Sequence, residues 1–194
     1  LTLYVSTQHP DGNQREAAAA LNLGTHDVEV ICRRMGGGFG GKEGNASIFS
    51  QSAALAAFKL KKPVKLRANR DDDIMITGKR HDFRIDYDVG FDDDGRILGL
   101  DVMLASRCGY SVDYSGPVND RAVLHIDNCY HLPNLHVVSH RCRTNTQSST
   151  AFRGFGGPQG MFAIETVIEA IARQLGRDPL DVRRINLYRD PSAS

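Results

Sequence analysis

Two short segments constrain this chain more than any other feature: "GGGFGG" at 36–41 and "GFGG" at 154–157, each leading into a run of helix formers. Glycine admits left-handed backbone and close approach of main chain to a neighbour, so both segments are shaped to meet something at short range. The first follows a β-like run (Val28, Val30, Ile31) and precedes the alanine-rich "ASIFSQSAALAAFKLKK", which Pro63 stops. A strand, a glycine loop and a helix in that order present successive N–H groups that favour an anion. Phe39, alone among glycines, is hard to account for as turn chemistry. The loop nearly spells a P-loop through Gly36, Gly41 and Lys42. Its next residue is Glu43, where a magnesium-binding Ser or Thr is required, so nucleotide hydrolysis is a weak reading.

The remaining pattern predicts a mixed α/β fold. "LTLYVST" reads as a strand, "QREAAAALNLG" as a helix closed by Gly24, and His26 to Arg34 as a second strand. From Pro63 the period becomes two, with Val64, Leu66 and Ala68, then Phe83 to Phe91 and Leu98 to Leu104 either side of the turn signal "DDDG". "HVVSHRC" is a further strand. Met161, Ile164, Ile168, Ile171 and Leu175 form one helical stripe ended by Gly176, and Asp178-Pro179 opens another helix. No internal domain boundary is placed between residues 1 and 194.

At 194 residues and 41% apolar content the chain can bury a real core, as one domain or two small lobes. A net charge of +1 gives no general attraction to nucleic acid or an anionic membrane. No apolar stretch is long enough to span a bilayer, and the N-terminus lacks a signal-peptide pattern. Cys32, Cys108, Cys129 and Cys142 lie far apart, which suits reduced thiols and a cytoplasmic setting. The start at Leu1 and the end "RDPSAS" suggest one piece of a larger assembly.

Other candidate chemistry is weak. "DDDG" is a solvated turn, since Arg96 and Ile97 occupy the region where an EF-hand needs ligands. His136 and His140 would stand about 13 Å apart on a strand, too far to share an ion. Arg121, ahead of an apolar run, is by default solvated or ion-paired. There is no G-x-S-x-G elbow. The residues alone point to two backbone cradles suited to an anionic cofactor.

Four segments in order, "STQ" (6–8), "RRMGGGFGGKE" (33–43), "DRAVLHIDNCYHLPN" (120–134) and "NTQSSTAFRGFGGPQGMFAIE" (145–165), resemble the molybdopterin-binding domain of the xanthine dehydrogenase and xanthine oxidase family. The resemblance covers nearly the whole chain. It implies an incomplete part of that large mixed α/β domain, with Gln8, Gly38, Phe39, Gly40, Arg153 and Gly154 binding molybdopterin. Gln8 would bond an oxygen of the molybdenum, and the amides of Phe39 and Arg153 would line the metal's surroundings, with no direct protein ligand to it. Glu43 and Arg121 match the catalytic, purine-binding pair, and Phe155 matches an aromatic packed on the purine. Aldehyde oxidases of the family place apolar residues at both charged positions. The family also implies a general-base glutamate in a G-x-G-E-like segment, two [2Fe-2S] clusters, FAD and a dimeric enzyme. None of those groups is bound by this chain, so activity is expected only with the remaining molybdopterin-domain segment and the iron–sulfur and FAD domains or subunits.

Overall fold

A computed structural model describes residues 1–188; the "RDPSAS" end, residues 189–194, lies outside the described residues. The chain divides into two units, each discontinuous in sequence. One comprises 1–80, 109–113 and 145–153, the other 81–108, 114–144 and 154–194. Because the chain crosses between them repeatedly, no single linker marks a boundary.

In the first unit, β1 (Thr2–Tyr4), α1 (Pro10–Leu21) and β2 (Glu29–Ile31) form a βαβ crossover, with β1 and β2 parallel and Leu3 opposite Val30. Its core is small: Leu3, Ala17, Ala18, Val28 and Ala54 are buried, the last from α2 (Asn45–Leu60). Alanines on both helices let α1 and α2 pack closely. α1 ends earlier than Gly24, because Asn22 takes the left-handed conformation at φ 53° and its N–H caps the Ala18 and Ala19 carbonyls.

The alternating run after Pro63 is not a strand. Among the described residues it finds no strand to pair with, and Val64 and Leu66 are exposed. It leads instead into α3 (Arg70–Ile76), which the pattern did not predict. Asn69 caps that helix by accepting from the Asp72 amide at 2.8 Å, and three aspartates occupy its positive first turn.

The second unit holds a sheet in the order β3 (Phe83–Phe91), β4 (Ile97–Gly109), β5 (Leu135–Arg143). β3 and β4 are an antiparallel hairpin whose turn is built as expected: Asp92 accepts from the amides of Asp94 and Arg96 at 3.0 and 2.9 Å, and Gly95 is left-handed at φ 86°. Ile97, Leu100, Val102 and Leu104 of β4 bury against α5 (Gly157–Leu175). The buried face of α5 runs through Ile164, Val167, Ile168 and Ile171; Met161, expected in that stripe, is exposed. α6 (Pro179–Asn186) starts as predicted, with the Asp178 carboxylate accepting from the Leu180 amide at 2.8 Å. α4 (Ser115–Leu124) went unpredicted, since Gly116 and Pro117 mask its first turn.

A polar cluster ties α5 and α6 to the loop before β5. Glu165 accepts from Tyr130 at 2.6 Å, Asn128 at 3.1 Å and Arg183 at 2.8 Å, and Arg183 also reaches Glu169 at 2.7 Å. Burial pushes the Glu165 carboxyl up, but hydrogen bonds from Tyr130, Arg183 and Asn128 outweigh it and hold the group below its ordinary range. Burial, followed by the Glu165 contact, raises the Tyr130 hydroxyl. A carboxyl depressed on folding contributes stability above its unfolded pKa of 4.5 and loses it as pH falls through the lower folded value. Glu165→Gln should therefore lower stability by about 1–3 kcal/mol at neutral pH and flatten the acid limb. Acid titration followed by near-UV circular dichroism checks this; an acid limb as steep as the parent's would contradict it.

Candidate functional site

In the first unit, residues 36–41 fold against the segment leaving β1. Phe39 and Gly40 have φ of 52° and 92°, and the Gly41 amide donates to the Gly38 carbonyl at 2.9 Å. These are the φ signs of a type I′ turn, which needs left-handed backbone at both central positions. A bulky residue there costs on the order of 1–3 kcal/mol and persists only where its surroundings impose it. At Phe39 they do: the Arg153 amide donates to the Phe39 carbonyl at 2.9 Å, and the Arg153 guanidinium lies 5.5 Å from the ring centroid. Phe39 as a whole is 62% exposed.

Gln8 fastens the loop from the other side. Its Oε1 accepts from the Gly40 amide at 2.8 Å and the Lys42 amide at 3.2 Å. That fixes the amide's orientation and leaves Nε2 as a donor without an acceptor among the described residues. The amides of Gly36, Gly37, Gly38 and Phe39 likewise have no protein acceptor among the described residues. A side chain at Gly38 would overlap Gln8, and one at Gly40 would sit 2.7 Å from the Ala151 carbonyl. The missing side chain at Gly40 makes room for protein backbone at 151–152.

Sequence reasoning missed the frame beneath this loop. Thr7 accepts from the His9 amide and from Asn13 Nδ2, both at 3.0 Å, and donates to the Lys42 carbonyl at 3.0 Å; Ser50 donates to Asn13 Oδ1 at 2.7 Å. Thr7, Asn13 and Ser50 are all buried, so the residue before Gln8 is locked by α1 and α2. The Lys42 ammonium donates to Ser6 Oγ at 2.8 Å and to the Met35 carbonyl. A P-loop lysine must be free for phosphate, so this engagement removes what remained of the nucleotide reading. Arg153 meets the loop through its main chain. Its amide donates to the Phe39 carbonyl, and its guanidinium, over the Phe39 ring, has no carboxylate partner among the described residues.

Glu43 closes this loop, half-buried and without an ion-pair partner among the described residues. In the second unit the sequence 154–157 repeats the turn: Phe155 and Gly156 have φ of 52° and 97°, and the Gly157 amide donates to the Gly154 carbonyl at 3.0 Å. Its glycines serve helix packing. A side chain at Gly156 would overlap the Val118 carbonyl, and one at Gly160 the Ala122 carbonyl, so α5 can lie directly on α4. At Gly154 a side chain would overlap Pro158. α4 carries Arg121 in its last turn, exposed and without a carboxylate partner among the described residues. Phe155 is half-buried with its ring edge-on to Tyr114 at 6.1 Å. Gln8, Gly38, Phe39, Gly40, Glu43 and Arg153 thus belong to one unit, and Arg121, Gly154 and Phe155 to the other. Among the described residues no group of His, Cys, Asp and Glu could hold a metal; His136 pairs with Asp101 at 3.0 Å instead.

The two kinds of glycine separate by experiment. Gly36 is left-handed at φ 69° with no atom of the described residues within 4 Å of its missing side chain, whereas Gly40 meets both strain and backbone. Gly36→Ala should cost about 1 kcal/mol, and Gly40→Ala about 1–3 kcal/mol more. Thermal melts of the two variants check the order; equal losses would contradict it.

A family model described as molybdopterin cofactor-binding domain matches residues 1–187. The chain is 48% identical over 189 residues to the xanthine dehydrogenase of Drosophila subobscura, covering 97% of this chain and 14% of that protein. It is 42% identical over 188 residues to the nicotinate hydroxylase hnxS of Emericella nidulans, covering 97% and 14%. The fold superimposes on quinoline 2-oxidoreductase from Pseudomonas putida 86 with a TM-score of 0.83 and 28% identity, over 98% of this chain and 24% of that one. It spans a small part of each of these proteins, but it matches the family model almost end to end: the chain belongs to the molybdopterin cofactor-binding domain family.

Proposed function

We propose that this chain supplies part of the molybdopterin site and the purine-binding pair of a molybdenum hydroxylase that oxidises hypoxanthine and xanthine toward urate. The observation that carries it is a donor set without a protein acceptor among the described residues: Gln8 Nε2 and the amides of Gly36 to Phe39, held in place by a Gln8 oxygen that already accepts twice. Such a set fits an oxygen-rich anionic group, and the Arg153 guanidinium, without a carboxylate partner among the described residues, adds positive charge beside it. The residues present therefore fit molybdopterin. When bound, that cofactor supplies the two-electron oxidation. Gln8 and Phe39 orient its oxygens through their N–H groups, and no side chain here replaces its metal ligands.

The charged pair does the rest of this chain's work. Glu43 takes or shares a proton at a ring nitrogen of the heterocycle. Arg121 stabilises the negative charge that builds on the ring as its carbon is oxidised, an effect worth about 2–4 kcal/mol for one preorganised donor. Phe155 packs against the flat ring. Retention of both Glu43 and Arg121 favours a purine over an aldehyde.

A second reading, another N-heterocycle, draws on the nicotinate hydroxylase and quinoline 2-oxidoreductase relatives. The relatives' greater length leaves room for the rest of the molybdopterin domain and for iron–sulfur and FAD partners that carry electrons away, in a dimeric cytoplasmic enzyme. Among the described residues no helix is long and apolar enough to cross a membrane.

Steady-state kinetics on the intact protein test the assignment. The double variant Glu43→Val, Arg121→Met should lose about 30-fold or more in kcat/KM for xanthine while keeping or raising turnover of an aromatic aldehyde. Unchanged xanthine kinetics would refute the substrate roles. Faster parent turnover of nicotinate than of xanthine would favour the second reading.

A further inference from the structure

Arg80 lies far along the chain from both glycine turns, and no sequence motif singles it out. Its Nη2 donates to the Arg153 carbonyl at 2.6 Å, and its guanidinium lies 4.5 Å from the centroid of the Phe152 ring. Nη1 is buried without an acceptor among the described residues. A cation leaves a donor unmet only at an energetic cost, so packing alone does not select arginine here. No carboxylate pairs with it among the described residues.

The surroundings show what it holds. The Thr150 amide donates to the Lys79 carbonyl at 2.9 Å, and a side chain at Gly78 would come within 2.8 Å of Thr150 Cβ, so 78–80 and 148–153 run in close contact. The other side of the 151–153 strip meets the glycine loop, through Ala151 against Gly40 and the Arg153 amide on the Phe39 carbonyl. Phe39 is held left-handed by that amide, and the amide's own residue is held by Arg80.

We propose that Arg80 is a positioning residue: by gripping the Arg153 carbonyl and stacking on Phe152 it keeps the strip that imposes the left-handed turn at Phe39, and so keeps the loop's free amides in register for an anionic cofactor. The link to a cofactor rests on the molybdopterin reading above. Arginine suits the task because its planar fork can stack and donate at once, which lysine cannot.

Hydrogen exchange on the intact protein, with Arg80→Met and Arg80→Lys, tests this without relying on turnover. The protected amides at Gly40, Gly41, Lys42 and Arg153 should exchange roughly tenfold faster in Arg80→Met, with Arg80→Lys between it and the parent and β4 peptides unchanged. Molybdenum per protein, by elemental analysis, should fall in the order parent, Lys, Met. Unchanged exchange at 38–43 and 150–155 would overturn the proposal. So would loss of protection throughout, including β4, which would make Arg80 a general folding residue, or full molybdenum content in Arg80→Met. A parent protein without molybdenum would instead sink the cofactor reading, while the exchange data would still decide whether Arg80 holds the loop.

Discussion

One side-chain oxygen organises the first unit. Gln8 Oε1 accepts from two loop amides, Gly40 and Lys42, and everything around it serves that double contact. Thr7 is anchored by Asn13, which Ser50 holds in turn, so that the backbone bearing Gln8 is fixed. Gly38 lacks a side chain where Gln8 must pass. The Lys42 ammonium draws Ser6 and Met35 together at the loop's entrance. Because the oxygen is spent, the same side chain can offer only its N–H groups to a ligand, and the loop between the anchored ends keeps a row of amides without a protein acceptor among the described residues. A neutral glutamine thereby does what a carboxylate could do only by half: it holds the loop and still donates.

The two glycine turns share a backbone shape yet differ in what the missing side chains admit. At 38–41 they admit Gln8 and the 151–152 backbone; at 154–160 they admit the carbonyls of α4. The first arrangement presents amides, and the second seats the helix that carries Arg121. A phenylalanine in left-handed conformation recurs in both, strain that each unit sustains through its own contacts.

Much of the fold was legible because its elements bury one face. α5 announced itself through Ile164, Ile168 and Ile171, and the β3–β4 hairpin through alternation around Asp92–Gly95. The run at Val64–Ala68 misled because alternation makes a strand only where a neighbour offers hydrogen bonds. α3 stayed hidden because its Ile74, Met75 and Ile76 are exposed and make no stripe. Family likeness offered Gln8, Phe39, Glu43 and Arg121 as candidates, and glycine content foretold the turns at 38–41 and 154–157. The pattern could not say which neighbour each glycine admits, nor find Arg80 or the Thr7–Asn13–Ser50 lock, because their partners are carbonyls and hydroxyls distant in sequence that leave no periodic trace.

What decides the matter is where the metal sits. Anomalous scattering at the molybdenum edge, from crystals of the intact protein, should place a single peak beside the Gln8 amide and the Phe39 N–H, with density for an organic ligand over Gly36 to Gly38. A peak elsewhere, or those amides facing only protein, would contradict the assignment of this loop as the cofactor's cradle.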